Sequence, residues 1–166
     1  MGRLGIFGAA AAAALALAAG SAQADGQTGP IPAGGMTIPE VVHWLQDQGY
    51  KAEVATGTSG DKYIKSAAEG VNFDIYMYDC KADRCASMQL SAGFNMTKPG
   101  LAGGATKINE WNTQKRYIKA YVDSDNDPWA QYDVNLSPGE SFEALDDNFK
   151  NVWISSLPDF MKFIGW

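Results

Sequence analysis

Between residues 71 and 96 apolar side chains occupy every second position: Val71, Phe73, Ile75 and Met77, then, past a polar break, Met88, Leu90, Ala92, Phe94 and Met96. Successive strand residues point to opposite faces of a sheet, so this spacing predicts two strands with one buried and one polar face. Such strands belong to an antiparallel sheet, because strands covered on both sides read as unbroken apolar runs. Two shorter strand-like segments precede them, Tyr50–Thr56 and Tyr63–Ala68, set off by the turn-forming stretches GTSGD and EGVN.

Helical spacing takes over elsewhere. Ile38, Val41, Val42 and Leu45 follow Thr37-x-x-Glu40, a capping box in which hydroxyl and carboxylate each satisfy an orphan amide, and Gly49 ends that helix. A second helix is expected over Ala105–Asn112, with Ala105, Ile108 and Trp111 on one face. Ile118, Ala120 and Val122, then Ala130, Tyr132, Val134 and Leu136, predict a second hairpin. From Ser141 onward Phe142, Leu145, Phe149, Val152, Trp153, Leu157, Phe160 and Ile164 keep a helical period, which Pro158 is expected to kink or split. The order α-ββββ-α-ββ-α defines an α+β fold, an antiparallel β-sheet flanked by helices.

The first 24 residues lie outside this pattern. Arg3 precedes an apolar stretch from Leu4 to Ala19, and Ala22-Gln23-Ala24 is a small-x-small cleavage site, so residues 1–24 read as a Sec-type signal peptide cut after Ala24. The run is shorter than the roughly 20 strongly apolar residues that a span requires. The expected product is periplasmic or secreted, with no membrane span after cleavage. Residues 25–35, rich in Gly and Pro, are expected to form a flexible arm, and 36–166 the domain.

Losing Arg3 takes the formal net charge from −6 to −7. A surface of that sign repels phosphate backbones, which argues against nucleic acid and anionic membranes as partners.

Cys80 and Cys85 bracket the polar tip Lys81-Ala82-Asp83-Arg84. In an exported chain a close, even pair forms a disulfide that pins a hairpin. Two ligands are too few for structural zinc, and the spacing is not C-x-x-C. No catalytic residue emerges: His43, the lone histidine, lies between Glu40 and Asp47 on a polar helix face, residues 57–60 (GTSG) lack the nucleophile-elbow spacing, and LAGGATK lacks the Gly-Lys-Ser/Thr of a phosphate loop. Asn95-Met96-Thr97 matches a glycosylation sequon, a pattern that recurs by chance. No cofactor is implied. Asp123, Asp125 and Asp127 begin like an EF-hand loop and are weak metal candidates, but Pro128 stands where the loop needs Gly and Val134 where it needs a bidentate Glu. The bland alternative is a solvated hairpin turn.

Ile108, Asn109, Glu110, Trp111 and Asn112, with Arg116 and Tyr117 and the Tyr-Met-Tyr-Asp strand end, resemble the YbjN domain family of bacterial sensory transduction regulators. The resemblance runs over about residues 36–164. It implies a fold similar to type III secretion chaperones, a tendency to form homodimers, a paired cysteine in the middle hairpin of exported members, and no catalytic residues to carry over. Ile108, Asn109, Trp111, Asn112, Arg116 and Tyr117 read as structural: Trp111 is expected to dock on the sheet covered by Phe73, Ile75, Leu90 and Phe94, and Asn112 to satisfy backbone groups at the helix end. The expected function is an exported, non-catalytic binding or chaperone-like module with an unknown protein or peptide partner. Two other classes compete, a periplasmic hydrolase using carboxylates and a weak calcium-binding structural protein.

Overall fold

The computed structural model describes Met1 and residues 27–166; the expected signal peptide lies outside the described residues. The elements follow in the order α1 (Ile38–Asp47), β1 (Lys51–Thr56), β2 (Lys62–Ala68), β3 (Val71–Lys81), β4 (Arg84–Gly93), α2 (Gly104–Gln114), β5 (Lys119–Val122), β6 (Pro128–Asn135), α3 (Phe142–Asp147), a π-helical stretch (Asn148–Ile154) and α4 (Ser155–Ile164). One antiparallel sheet runs β1-β2-β3-β4-β6-β5. The predicted α+β architecture and element order are what the chain adopts. Among the described residues no helix is long and apolar enough to cross a membrane.

The alternation read from the sequence sets the two faces. Val71, Phe73, Ile75, Met88, Leu90, Ala92 and Phe94 are buried, together with Ala130, Tyr132 and Val134 of β6. Trp44 of α1, Phe149 and Trp153 of the π-helical stretch and Phe160 of α4 close over that face. The capping box at Thr37 forms as expected, with Glu40 Oε2 accepting from the Thr37 amide at 2.8 Å.

Glu40 also reaches across to the β3–β4 hairpin, where Arg84 donates to both of its oxygens at 2.6 and 3.0 Å. Cys80 and Cys85 are cross-strand partners in that hairpin and are disulfide-bonded. Met36 and Cys85 exchange two backbone hydrogen bonds beside it. The approach is so close that a Cβ on Gly35 would lie 1.9 Å from the Cys85 carbonyl oxygen. The segment expected as a flexible arm is therefore held from Gly29 on. Ile31 is buried and donates to the Glu140 carbonyl, and Phe142 donates to that of Gly29. Backbone pairing fixes this segment, and pairing leaves no periodicity for a sequence reading to find.

Two other expectations are corrected. The helix α2 runs to Gln114, and Ala105 is exposed. Trp111 is buried in the same core cluster as Phe73, Ile75, Leu90 and Phe94, and its ring also meets Phe160 and Phe163 of α4, at 4.9 and 5.4 Å, partners the sequence did not announce. Asn112 does not cap its helix. Its amide donates to the Ala120 carbonyl and accepts from the Ala120 N–H, both at 3.0 Å, imitating a strand along the outer edge of β5. On the opposite edge strand, β1, Gln46 of α1 donates to the Ala52 carbonyl at 3.0 Å.

Pro158 lies within α4, and the irregularity falls upstream of it as the π-helical stretch. Proline removes one amide and crowds the carbonyl four residues earlier, so the preceding turns have carbonyls to satisfy. Ser155 and Ser156 hydroxyls take the Asn151 and Val152 carbonyls at 2.7 and 2.6 Å.

Two outcomes test this account. Replacing Cys80 and Cys85 by Ser opens a loop with a sequence separation of only 5, so stability should fall by about 2 kcal/mol in equilibrium urea unfolding; a loss beyond about 5 kcal/mol would make the disulfide a condition of folding. Asn112→Ala should cost roughly 1 to 2 kcal/mol. Combined with Gln46→Ala it should raise self-association in sedimentation velocity, because bare strand edges pair with other chains. An unchanged monomer–oligomer balance would show that these amides do not guard the edges.

Candidate functional site

Among the described residues every helix lies on one side, and the other face of the sheet is open. Its side chains alternate with the buried ones and line up across the strands by register. One row reads Glu53, Lys65, Asp74, Ser91, Gln131 and Lys119. A neighbouring row brings Asn72, Gly93, Trp129 and Tyr121 together. Two aromatic pairs stand on this face: Tyr63 and Tyr76, stacked with centroids 5.5 Å apart, and Tyr121 and Trp129, nearly parallel at 6.1 Å.

Beside Trp129 lies a concavity of about 480 Å³ lined by Lys65, Asn72, Asp74, Ser91, Gly93, Asn95 and Trp129, while Tyr63 and Tyr76 line a separate one with Gly57 and Lys62. Glycine inside a strand often marks a close approach, and here the approaching group is the indole. A Cβ on Gly93 would meet three ring atoms of Trp129 at 2.7 to 2.9 Å. The indole is fixed from its other end, where Nε1 donates to Asp123 Oδ2 at 3.0 Å. The remaining oxygen of Asp123 accepts the amides of Asp125 and Asp127, at 2.9 and 3.0 Å. These bonds, led by the one from Trp129, hold the Asp123 carboxyl below its ordinary range.

Burial pushes the Asp74 carboxyl up, a shift tempered by the Tyr76 hydroxyl that donates to it at 3.2 Å and by the charge of Lys65. Burial, followed by the Asp74 charge, pushes Tyr76 up to about 12, so it remains a neutral donor at any physiological pH. Ser91 is only 3% exposed and accepts from Gln131 Nε2 at 3.2 Å. A hydroxyl can donate as well as accept, so Ser91 retains a proton for a ligand.

The residues singled out from the sequence fall elsewhere. Ile108 and Trp111 are core, Asn112 stitches β5, and Asn109 is exposed. Arg116 lies over the ring of Tyr117 at 4.7 Å, and Tyr117 is exposed with a left-handed φ of 70° at the corner before β5. His43 is a solvated partner of Asp47 at 3.3 Å, while Glu40 turns to Arg84 instead. The carboxylates of Asp123, Asp125 and Asp127 have separate partners: the Trp129 indole, Lys98, and the Met96 amide. No group of three His, Cys, Asp or Glu among the described residues converges on a metal position. A second concavity, about 540 Å³, lies by the hairpin between Ile38, Val54, Met77 and the disulfide.

Sequence reasoning missed the open face, although signals for it exist. Tyr63, Tyr76, Tyr121 and Trp129 occupy the polar-face positions of their strands, and Gly93 interrupts a strand interior.

The fold is a helix-backed antiparallel sheet whose other face carries a concavity with aromatic and amide side chains. The chain belongs to the YbjN family, described as "Putative bacterial sensory transduction regulator", whose profile matches residues 37–164. No curated protein matches the chain. The family description names regulation and no reaction, compatible with a non-catalytic regulatory module.

Asp123 gives this site a pH signature. Its carboxyl is depressed in the folded state, so its contribution is present above the unfolded value and lost as pH falls through the folded one. Trp129 emission, taken as the difference between wild type and Trp129→Phe, should hold steady until the pH drops below the ordinary aspartate value of 3.8. In Asp123→Asn that acid step should vanish. A step at or above the ordinary value would detach the indole from Asp123.

Proposed function

We propose that the chain is an exported, non-catalytic ligand-binding module of a regulatory system, and that it takes its ligand on the open face of the sheet. The observation that carries this reading is the concavity beside Trp129, where an indole held flat by Gly93 and Asp123 meets a Lys, an Asp, two Asn and a buried Ser hydroxyl. Apolar surface with a few convergent polar groups is what small-ligand sites are made of. Export is supported by the sequence of residues 1–24 and by the disulfide, a bond that persists in oxidising compartments. The competing carboxylate hydrolase needs two acidic groups flanking the scissile bond, and the lining of this concavity supplies one, Asp74.

Thermal denaturation of residues 25–166 against a panel of amino acids, sugars, nucleotides and short peptides tests the reading. A ligand at 100 times its Kd adds about 2.7 kcal/mol, a rise of several degrees. That rise should disappear in Trp129→Ala and persist in Val54→Ser, at the hairpin groove, and mass spectrometry should recover the ligand unchanged. A hit that survives Trp129→Ala and is lost in Val54→Ser would move the site to the groove, and a converted ligand would make the protein an enzyme.

A further inference from the structure

We propose that the ligand of the open face is a neutral oligosaccharide, laid across the sheet with one sugar ring on the Trp129–Tyr121 pair and another on the Tyr63–Tyr76 pair. The proposal rests on the open-face reading above and adds the chemical class of the occupant.

The charges come first. Across the six strands the central row runs Glu53, Lys65, Asp74, Ser91, Gln131, Lys119, so its two cations and two carboxylates cancel. Lys65 and Asp74 are direct cross-strand neighbours. A face arranged in this way concentrates neither anions nor cations, and the formal charge of −6 works against phosphorylated ligands. It does offer both senses of hydrogen bond in close alternation. The Asn72, Asn95 and Gln131 amides donate and accept, Lys65 donates, Asp74 accepts, and Ser91 retains its proton. Sugar hydroxyls, each both donor and acceptor, match that alternation, whereas an ionic ligand would leave one member of the Lys65–Asp74 pair unsatisfied.

The aromatic groups supply the second half. A pyranose presents C–H-rich faces that pack on aromatic planes, and since the rings of each pair are stacked, at interplanar angles of 23° and 10°, each pair would offer a sugar an outward ring face. Tyr76 is four residues along β3 from Asn72, the residue in the Trp129 row, and β3 lies two strands from β6. With strand rise and spacing of about 3.4 and 4.8 Å, the nearest members of the two pairs, Tyr76 and Trp129, are rooted about 14 Å apart along the strands and about 10 Å across them, and the pair centres about 14 Å across. A single ring cannot bridge that span and a short chain of rings can. The polar row of Lys65, Asp74 and Ser91 lies between the platforms, where the hydroxyls of the intervening sugars would fall.

The full chain should be titrated with chitotetraose, cellotetraose and maltotetraose, followed by backbone amide NMR. The expected result is saturable shifts at Asn72, Asp74, Gly93 and Trp129 with at least one of the three, and glucose alone binding about tenfold more weakly or worse. Trp129→Ala and Tyr76→Ala should each weaken the tetrasaccharide by about tenfold, and Trp129→Tyr, which keeps a ring, should recover part of the loss in case Trp129→Ala perturbs folding. Absence of shifts with all three sugars overturns the proposal. If glycine, lysine or dialanine then moves the same amides, only the glycan class fails and the open-face reading stands. If probes move only Val54, Met77 and Cys85, both fail together.

Discussion

Phe149 is the contact on which the arrangement of layers depends. Trp44 of α1 and Tyr50, just before β1, meet its ring edge-on at 5.1 and 5.0 Å, and Phe73 of β3 meets it tilted at 6.2 Å. The first helix, the middle of the sheet and the C-terminal helical segment thus converge on one side chain. Four residues on, Trp153 packs on Phe73, and Phe160 packs on Phe94. The wider π-helical turn keeps Phe149 and Trp153 on the same side before α4 resumes the ordinary period with Leu157, Phe160 and Ile164. Since one row of aromatic rings draws the described helices to the same face, no described helix covers the other. The candidate site follows from the core.

The hairpin ties depend on the same packing. Once α1 is seated by Trp44, its N-terminal turn places Glu40 within reach of Arg84, and the chain just before it pairs Met36 with Cys85. Burial pushes the Glu40 carboxyl up, yet Arg84 and the Thr37 amide together bring it below its ordinary value. The pair is about one-third exposed on each side, so its worth lies in fixing the direction of the chain more than in free energy. The disulfide closes too short a loop to restrict the unfolded chain much. Both act on geometry: they hold the hairpin tip against the helix that the core has already placed.

What could be read in the sequence was whatever is encoded by nearest neighbours. The alternation through β3 and β4, the capping box at Thr37 and the helical period through Phe160 are each local, and each predicted the right element. The misses that matter for the site and the edges are products of pairing beyond the local window. Nothing within residues 29–36 announces that Met36 will bridge Cys85, and nothing in Ile108-Asn109-Glu110-Trp111-Asn112 says that Asn112 will bind the strand that follows. The Asp123–Asp127 turn was legible as a turn. Its bond to the Trp129 indole depends on β6 placing that ring over Gly93 of β4, 36 residues earlier in the chain. Register, which no short window contains, assembles the open face.

Register also bears on how such a sheet can recognise anything. An outer strand with free amides invites another chain to pair with it, and this would be the simplest binding mode for a domain of this shape. Here α2 places Asn112 on both backbone groups of Ala120, and α1 places Gln46 on the carbonyl of Ala52. The helices that bury one face therefore also obstruct both edges, in each case with an amide side chain that reaches the strand backbone. On the reading proposed above, recognition is directed away from backbone pairing and toward the side chains of the open face, where Trp129, Tyr76, Asp74 and Lys65 would provide contacts that discriminate between ligands in a way that strand addition, built on main-chain bonds common to every peptide, does far less well.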